Sequence, residues 1–258
     1  MNDQSTERFT NRVENYVRYR PNYPDSLVPL LEREIGLTPA WEIADVGSGP
    51  GNLTRQFLAF GATVFAIEPN QAMREAGEVL MNGYGSFTSI AGTAEATTLT
   101  HASVDLVTAG QAFHWFEPES TRIEFQRILR GPGWVVLVWN RRMEGTSQVL
   151  DEHHEMLQQY SPDYGKVAVS DKGSHQGMGI LFGEAGYREF SLRNEQLLDE
   201  DAYWGRLLSS SYVPLLGQPG HDEIRRRSLE IFEAHADDGI LRFPYETQIF
   251  VGKVLTQD

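Results

Sequence analysis

The chain contains no cysteine, which excludes disulfide bonds and thiolate metal ligands. Proteins of reducing compartments commonly lack disulfides, so we expect a cytoplasmic location. Long apolar runs are also missing, since no stretch approaches the roughly 18 residues that a membrane-spanning helix needs. The N-terminal segment MNDQSTERFTNR is polar and has none of the apolar character of a signal peptide. We therefore expect a soluble protein without a membrane partner.

Positive charge is scarce in this chain. Its 258 residues include 22 Lys and Arg against 36 Asp and Glu, which gives a net charge of -14. Because such a field repels polyanions, we expect no nucleic-acid partner. We also expect no metal site, since His153 and His154 are adjacent and point to different sides of a helix. The sequence leaves the oligomeric state open.

Strand-like and helix-like segments alternate between residues 41 and 140. Short β-branched or apolar runs predict strands over 41–46, 63–67, 86–92, 104–110 and 134–139. Helical spacing predicts helices over 27–35, 52–60, 70–81 and 118–130, and Gly36, Gly61 and Gly131 act as stops. The last strand is apolar throughout, as in a strand covered on both faces. This alternation is typical of a doubly wound α/β domain.

The character of the chain changes after residue 140. We predict a helix at 150–160, two further helices around 204–208 and 224–235, and two late strands at 187–198 and 245–254. The fold class is therefore a Rossmann-like, doubly wound, mostly parallel seven-stranded sheet with helical cap insertions. We expect a single domain, with a core of about 36–140 plus 186–258. Cap elements from 1–24, 141–180 and 200–236 would roof a pocket.

A glycine-rich turn joins the first strand of this alternation to the helix after it. Gly47, Gly49 and Gly51 alternate with other residues, and bare backbone there lets a ligand lie close to the amides of the helix start. The alternative is that these glycines only make a tight turn. The following strand ends in Glu68, about twenty residues on, where a carboxylate can accept hydrogen bonds from both hydroxyls of an unphosphorylated ribose. Without the glycine-rich turn, Glu68 would be interpreted as a solvated carboxylate at the end of a strand.

The glycine spacing separates two kinds of cofactor. A dinucleotide fingerprint reads G-x-G-x-x-G, and Asn52 occupies the position of its third glycine. No phosphate-loop run with its lysine is present either. An NAD-dependent oxidoreductase with an atypical fingerprint is the alternative that we keep.

The spacing G-x-G-x-G with a downstream acidic residue resembles motifs I and II of the class I S-adenosylmethionine-dependent methyltransferases. GTAEATTL (92–99), VDLVTAGQAFHWF (104–116) and FQRILRGPGWVVLVWNRR (125–142) resemble segments that follow in this family. VENYVRYRPNYP (13–24) resembles the N-terminal arm of the branch similar to trans-aconitate methyltransferase. The resemblance covers the first 140 residues well and the remainder only in outline. Ser48 departs from it, because many members carry cysteine there.

The resemblance implies S-adenosylmethionine as the cofactor and a small molecule as the methyl acceptor. Asp45 would face the cofactor's ammonium, although it can equally cap the turn, and Met73 would lie against the adenine, although core packing is its ordinary role. The segment 93–95 would border the adenine. The implied cofactor-binding residues are Tyr16, Asp45, Gly47, Ser48, Gly49, Gly51, Glu68, Pro69, Met73, Thr93, Ala94, Glu95, Gln111 and Ala112.

Methyl transfer from a sulfonium mainly requires alignment of the acceptor and exclusion of water. Trp115 offers an aromatic face to the cation, and His114 is the candidate base for an acceptor that must lose a proton. A carboxylate acceptor is already nucleophilic and needs cations instead. Arg20 is the candidate for that role, with Arg18, Arg141 and Arg142, unless these are ordinary surface charges. A third reading is a non-catalytic protein that binds the cofactor and presents its roof to a partner.

Overall fold

A computed structural model describes residues 12–143, 145–165 and 176–254. The parts of the predicted cap at 1–11 and 166–175 lie outside these ranges. Seven strands form one sheet in the order β3-β2-β1-β4-β5-β7-β6. They are β1 (Glu42–Val46), β2 (Thr63–Ile67), β3 (Phe87–Ile90), β4 (Val104–Gly110), β5 (Leu129–Arg141), β6 (Tyr187–Leu198) and β7 (Leu241–Lys253).

The first five strands pair in parallel, and β7 runs antiparallel between β5 and β6. Strand order reverses beside β1, where β2 lies on one side and β4 on the other. In open α/β sheets, ligands bind at the carboxyl ends of strands next to such a reversal. The predicted fold class is confirmed, and the glycine turn after β1 stands at this point of the sheet.

Helices cover both faces of the sheet and build the cap. The helices with fixed bounds are α1 (Val13–Tyr19), α2 (Leu27–Ile35), α3 (Thr54–Phe60), α4 (Gln71–Leu80), α5 (Pro118–Ile128), α6 (Gln148–Tyr160), α7 (Glu200–Leu208) and α8 (His221–His235). Residues 176–182 are also helical. Within the described ranges, each helix is too short or too polar to span a membrane.

Apolar side chains form two clusters against the sheet and a third in the cap. Helices α2 and α3 bury Leu31 and Phe57 against one face, while α5 buries Phe125 against the other. Helices α6, α7 and α8 share the third cluster with the first half of β7, including Phe243. Because the cap has its own core against β7, it is held over the same end of the sheet as the glycine turn.

Three local expectations differ from the structure. Helix α5 ends at Ile128 rather than near residue 130, and β5 begins at once. Gly131, with a φ of 60°, lies inside this strand beside an irregular pairing with β4, so it is not the helix stop that we expected. Helix α3 begins at Thr54, two residues late, because the turn continues through Leu53. Helix α1 was not expected, because it buries no residue and shows no apolar period.

The arm formed by residues 12–24 crosses the cap and returns to the sheet. The Arg12 guanidinium donates hydrogen bonds to the carbonyls of Leu208, Ser210 and Val213 at 2.6–2.8 Å. At the other end, the carbonyl of Asn22 accepts hydrogen bonds from the side chains of two residues, one on β5 and one on β6. The arm is therefore fastened on both sides of the space that it covers.

Candidate active site

The turn after β1 places backbone where a side chain would not fit. Gly47, Gly49 and Gly51 all have positive φ values, of 67°, 56° and 95°. A Cβ on Gly47 would lie 2.6 Å from the Cβ of Ala112, so glycine is required by contact as well as by φ. At Gly49, no atom of the described residues lies within 4 Å of the Cβ position. The turn therefore has a packed side and an open side.

Asp45 is completely buried beneath this turn. Its carboxylate accepts hydrogen bonds from the hydroxyls of Thr54, at 2.6 Å, and of Thr108, at 3.0 Å. Burial raises the pKa of Asp45 to about 6, and the two hydroxyls oppose that rise. A carboxylate held at this cost of desolvation is suited to a cationic ligand group placed against it.

Glu68 directly follows β2 and faces the same turn. One carboxylate oxygen accepts the amide N–H of Gly49 at 2.9 Å, and the other accepts the amide N–H of Asn70 at 2.8 Å. Burial raises the pKa of Glu68, and these two amides oppose the rise. Each carboxylate oxygen can accept a further hydrogen bond, so the bonds to the backbone orient the group without exhausting it.

The other residues expected at the adenine form a separate rim beside β2. Met73 is buried at the start of α4, and Ala94 is buried in a tight turn closed by a bridge from Thr93 to Ala96. The Glu95 carboxylate accepts the amide N–H of Glu117 at 3.0 Å, which ties this turn to the start of α5. Pro69 lies between Glu68 and the asparagine that caps α4.

A cavity of about 460 Å³ opens beside the glycine turn and runs under the cap. Its lining includes five of the expected cofactor-binding residues: Tyr16, Asp45, Gly47, Ser48 and Gln111. It also includes all three candidate catalytic residues, Arg20, His114 and Trp115. The rest of the expected set borders the turn or the rim without lining this cavity: Gly49, Gly51, Glu68, Pro69, Met73, Thr93, Ala94, Glu95 and Ala112.

The loop after β4 brings aromatic groups to the wall of this cavity. Gln111 has a φ of 57°, and its side-chain amide donates to the carbonyl of Asn140 at 3.1 Å. A single 3-10 turn over Phe113–Trp115 follows. It directs His114 and Trp115 toward the cavity, with their ring centroids 4.8 Å apart, while Phe113 turns into the core.

Arginines from three elements meet in the cavity. Arg20 comes from the arm and lies 4.8 Å from the ring centre of Tyr16. Arg142 follows β5, and Arg206 comes from α7. Among the residues that the structure describes, none of these three has an ion pair with Asp or Glu. Arg141 lines the cavity as well, whereas Arg18 lies in a different groove.

Neutral polar groups hold these arginines in place. The guanidinium of Arg142 donates to His153 Nε2 at 3.0 Å and to the hydroxyl of Tyr212 at 3.2 Å. Burial lowers the pKa of His153 well below its ordinary value, and Arg142 lowers it further, so the imidazole is a neutral acceptor. Arg206 donates to the hydroxyl of Tyr245 at 3.0 Å. In the part of the chain that the structure describes, these arginines therefore face the cavity without an ion pair to a carboxylate.

Tyr212 lies among these cations, on the loop between α7 and α8. Burial alone would raise the pKa of its phenol, but Arg142 and Arg206 outweigh burial and lower it to about 7. A hydrogen bond from Ser210 and the charge of Arg20 act in the same direction. Tyr212 therefore lies within the electrostatic influence of all three arginines of this cavity.

The sequence analysis missed Arg206, Tyr212 and Tyr245 as lining residues of this cavity. A signal for Arg206 was available, since it lies three residues after Tyr203, a spacing that places both side chains on one buried helix face. A buried arginine in an apolar stripe needs a partner, which makes it a candidate for binding. Tyr212 lies in a loop without periodicity, so no comparable pattern marks it.

Comparison with known proteins identifies the family. Residues 44–137 match the model of the methyltransferase domain family. An uncharacterized methyltransferase of Mycobacterium tuberculosis is 36% identical over 140 residues, which is 53% of each protein. The chain thus spans about half the length of the mycobacterial relatives that it matches.

Two further relatives cover more of the chain. A methyltransferase-like protein of Schizosaccharomyces pombe is 30% identical over 183 residues, 70% of each chain. A solved structure, a candidate type II methyltransferase from Anaeromyxobacter dehalogenans, is 25% identical with a TM-score of 0.68 and covers 93% of this chain and 100% of its own. With the glycine turn at the strand-order reversal and relatives of this extent, the chain belongs to the class I S-adenosylmethionine-dependent methyltransferase family.

Proposed function

We propose that this chain transfers a methyl group from S-adenosylmethionine to a carboxylate oxygen of a small acceptor. One observation carries the proposal: a single cavity joins the glycine turn and Asp45 to arginines that lack a carboxylate partner among the described residues. The first half of this cavity suits the donor, and the second half suits an anionic acceptor.

The residues of the first half fit the cofactor. The open space at Gly49 leaves room for a ligand against the backbone, and the buried Asp45 carboxylate suits an ammonium group. Glu68 retains acceptor capacity on both oxygens for ribose hydroxyls. When bound, S-adenosylmethionine supplies a methyl group on a sulfonium, which a carboxylate can accept without first losing a proton.

The residues of the second half fit the acceptor. Arginine presents paired N–H donors that match the two oxygens of a carboxylate. Because such an acceptor needs no base, His114 serves to orient it, and Trp115 closes the aromatic wall. The arm and the cap lie over this space, and exclusion of water by a bound acceptor would strengthen every charge interaction inside it.

A panel of carboxylic acids tests the proposal, with formation of S-adenosylhomocysteine as the measured product. Arg20→Met is expected to raise the KM of the preferred acid by about tenfold or more, the effect of losing a hydrogen bond to a charged group. The Kd of the cofactor is expected to remain unchanged. Arg18→Met is the matched control, because Arg18 belongs to the same arm but lies outside this cavity.

Two outcomes contradict this function. If the protein binds the cofactor but forms no product across the panel, the non-catalytic reading is correct. If uncharged hydroxyl compounds are methylated and carboxylic acids are not, the arginines serve another purpose. Equal KM values for both arginine variants would show that Arg20 does not hold the acceptor.

A further inference from the structure

In the described part of the chain, three arginines of the cavity have no carboxylate that balances their charge. Arg20, Arg142 and Arg206 converge there without a carboxylate partner in the described part of the chain, and Arg206 is 6% exposed. Charges held in such a setting require a counter-charge or a strong dipole. Asp45 also lines the cavity, under the glycine turn, but its hydrogen bonds come from threonines and not from arginines.

Tyr212 is the group placed to supply this counter-charge. Its hydroxyl oxygen accepts the N–H of Arg142 at 3.2 Å, and Arg206 and Arg20 approach it from the cap and the arm. Arg12 contacts the backbone on either side of Tyr212 through the carbonyls of Ser210 and Val213, and the other groups named here are neutral or aromatic. Its ring centroid lies 5.1 Å from that of Tyr164, the backbone carbonyl of Tyr212 accepts the hydroxyl of Ser161, and Ser210 donates to its phenol.

The groups behind these direct neighbours do not reverse the positive electrostatic field at the Tyr212 phenol. His153 lies behind Arg142 and is neutral, and Tyr245 receives the N–H of Arg206 while donating its own hydroxyl to Gln196. Every charged neighbour of the phenol named here is therefore an arginine, and together they stabilise its anionic form.

We propose that Tyr212 carries one negative charge that offsets part of the positive charge of these arginines while no acceptor is bound, and that a bound anion replaces this charge as Tyr212 takes up one proton from solvent. This inference rests on the proposed function for the anionic nature of the acceptor. The proton adds to the phenolate oxygen, which changes Tyr212 from a hydrogen-bond acceptor into a donor toward the bound anion. Tyr212 thus contributes to the specificity for anions, because an uncharged ligand does not favour protonation of its phenolate.

The coupling between anion binding and protonation of Tyr212 fixes how the affinity for an anion changes with pH. In the free protein the phenol has a pKa of about 7, and a nearby bound anion raises it toward 10.0, the ordinary value. Between these two values, binding consumes a proton, so the affinity for an anion falls by up to about tenfold for each pH unit. Below about pH 7, the phenol is already protonated and the affinity is independent of this group.

Tyrosinate absorbance in the near ultraviolet tests the inference directly. The free wild-type protein, titrated across neutral pH, should show one tyrosinate transition near pH 7 that Tyr212→Phe removes. Tyr84→Phe, at a partly exposed tyrosine on the surface, should keep it. Arg142→Met should move the transition to higher pH, because one of the cations beside the phenol is gone.

Succinate and inorganic phosphate serve as the anionic probes. Either one is expected to reduce the tyrosinate signal above pH 7 in the wild type, and calorimetry in buffers of different ionisation enthalpy should show uptake approaching one proton per site. The inference is overturned if Tyr212→Phe leaves the titration unchanged, or if neither probe alters the tyrosinate signal.

These readouts separate the inference from the proposed function. A tyrosinate that responds to anions in a protein that methylates no carboxylic acid would support the inference and refute the function. Methylation of carboxylic acids without a neutral-pH tyrosinate would do the reverse.

Discussion

Replacement of Asp45 by asparagine should raise the stability of the fold and weaken cofactor binding. The rise in the pKa of Asp45 from 3.8 to about 6 corresponds to about 3 kcal/mol of unfavourable free energy for the ionised, buried group. Asparagine removes this cost but weakens one of the two threonine hydrogen bonds, worth about 1 kcal/mol. We therefore expect Asp45→Asn to be more stable than the wild type at neutral pH, by about 1–2 kcal/mol.

The sign follows from proton binding. Between pH 3.8 and about pH 6 the folded chain holds this proton more tightly than the unfolded chain does, so stability falls as the pH rises through that window. Asp45→Asn should lose this slope. Its affinity for S-adenosylmethionine should fall by about tenfold or more, because the ammonium loses its counter-charge. In the wild type, the same affinity should fall as the pH drops through about 6.

Urea unfolding at several pH values and calorimetric binding of the cofactor measure both effects. Asp105→Asn is the control, because Asp105 lies on β4 with a 27% exposed side chain and pairs with Arg130 at the surface. Its effect should stay within about 1 kcal/mol. A marked destabilisation of Asp45→Asn at neutral pH, or an unchanged cofactor Kd, would refute the reasoning.

Two glycine substitutions test the packing around the site. Gly47→Ala should abolish cofactor binding and destabilise the fold by about 2 kcal/mol or more, because the new Cβ would lie 2.6 Å from the loop after β4. Gly36 is the control, since it has a similar φ of 71° and open space around its Cβ position. Gly36→Ala should therefore cost only the backbone strain of about 1 kcal/mol. Gly205→Ala places a Cβ 2.2 Å from the ring of Tyr19 and should loosen the arm, seen as faster proteolysis there, while Gly179→Ala, in another helix with free space, should not. Equal behaviour within either pair would argue against the packing described.

Local signals in the sequence defined the sheet and its order of elements. The apolar run of β5 and the stops at Gly36 and Gly61 gave segments close to the observed ones, because each depends on residues within one turn or strand. The helix end predicted at Gly131 was wrong, because a glycine with positive φ fits a helix end and a strand irregularity equally well. Only the pairing with β4 distinguishes the two.

The residues that we propose to bind the methyl donor, in the cavity and in the turn beside it, were predictable for the same reason. Gly47, Gly49 and Glu68 lie within two consecutive strand–helix units, so their spacing already fixes their meeting point. The acceptor half depends on contacts across the chain instead. Arg20 and Arg206 meet only because the arm and α7 pack together, with Tyr19 over Gly205. The local sequence pattern of neither segment predicts this packing.

This division of the cavity has a practical meaning for protein engineering. The wall around the glycine turn comes from residues 45–53 and 110–115, whereas two of the opposing arginines come from positions 142 and 206, beyond the segment that matches the family model. Under the proposed function, the arginines at 20, 142 and 206 that would bind the acceptor all lie outside that segment, whereas His114 and Trp115 lie within it. If the proposed function is correct, variation at positions 142 and 206 should change the preferred acceptor more than it changes the affinity for the methyl donor.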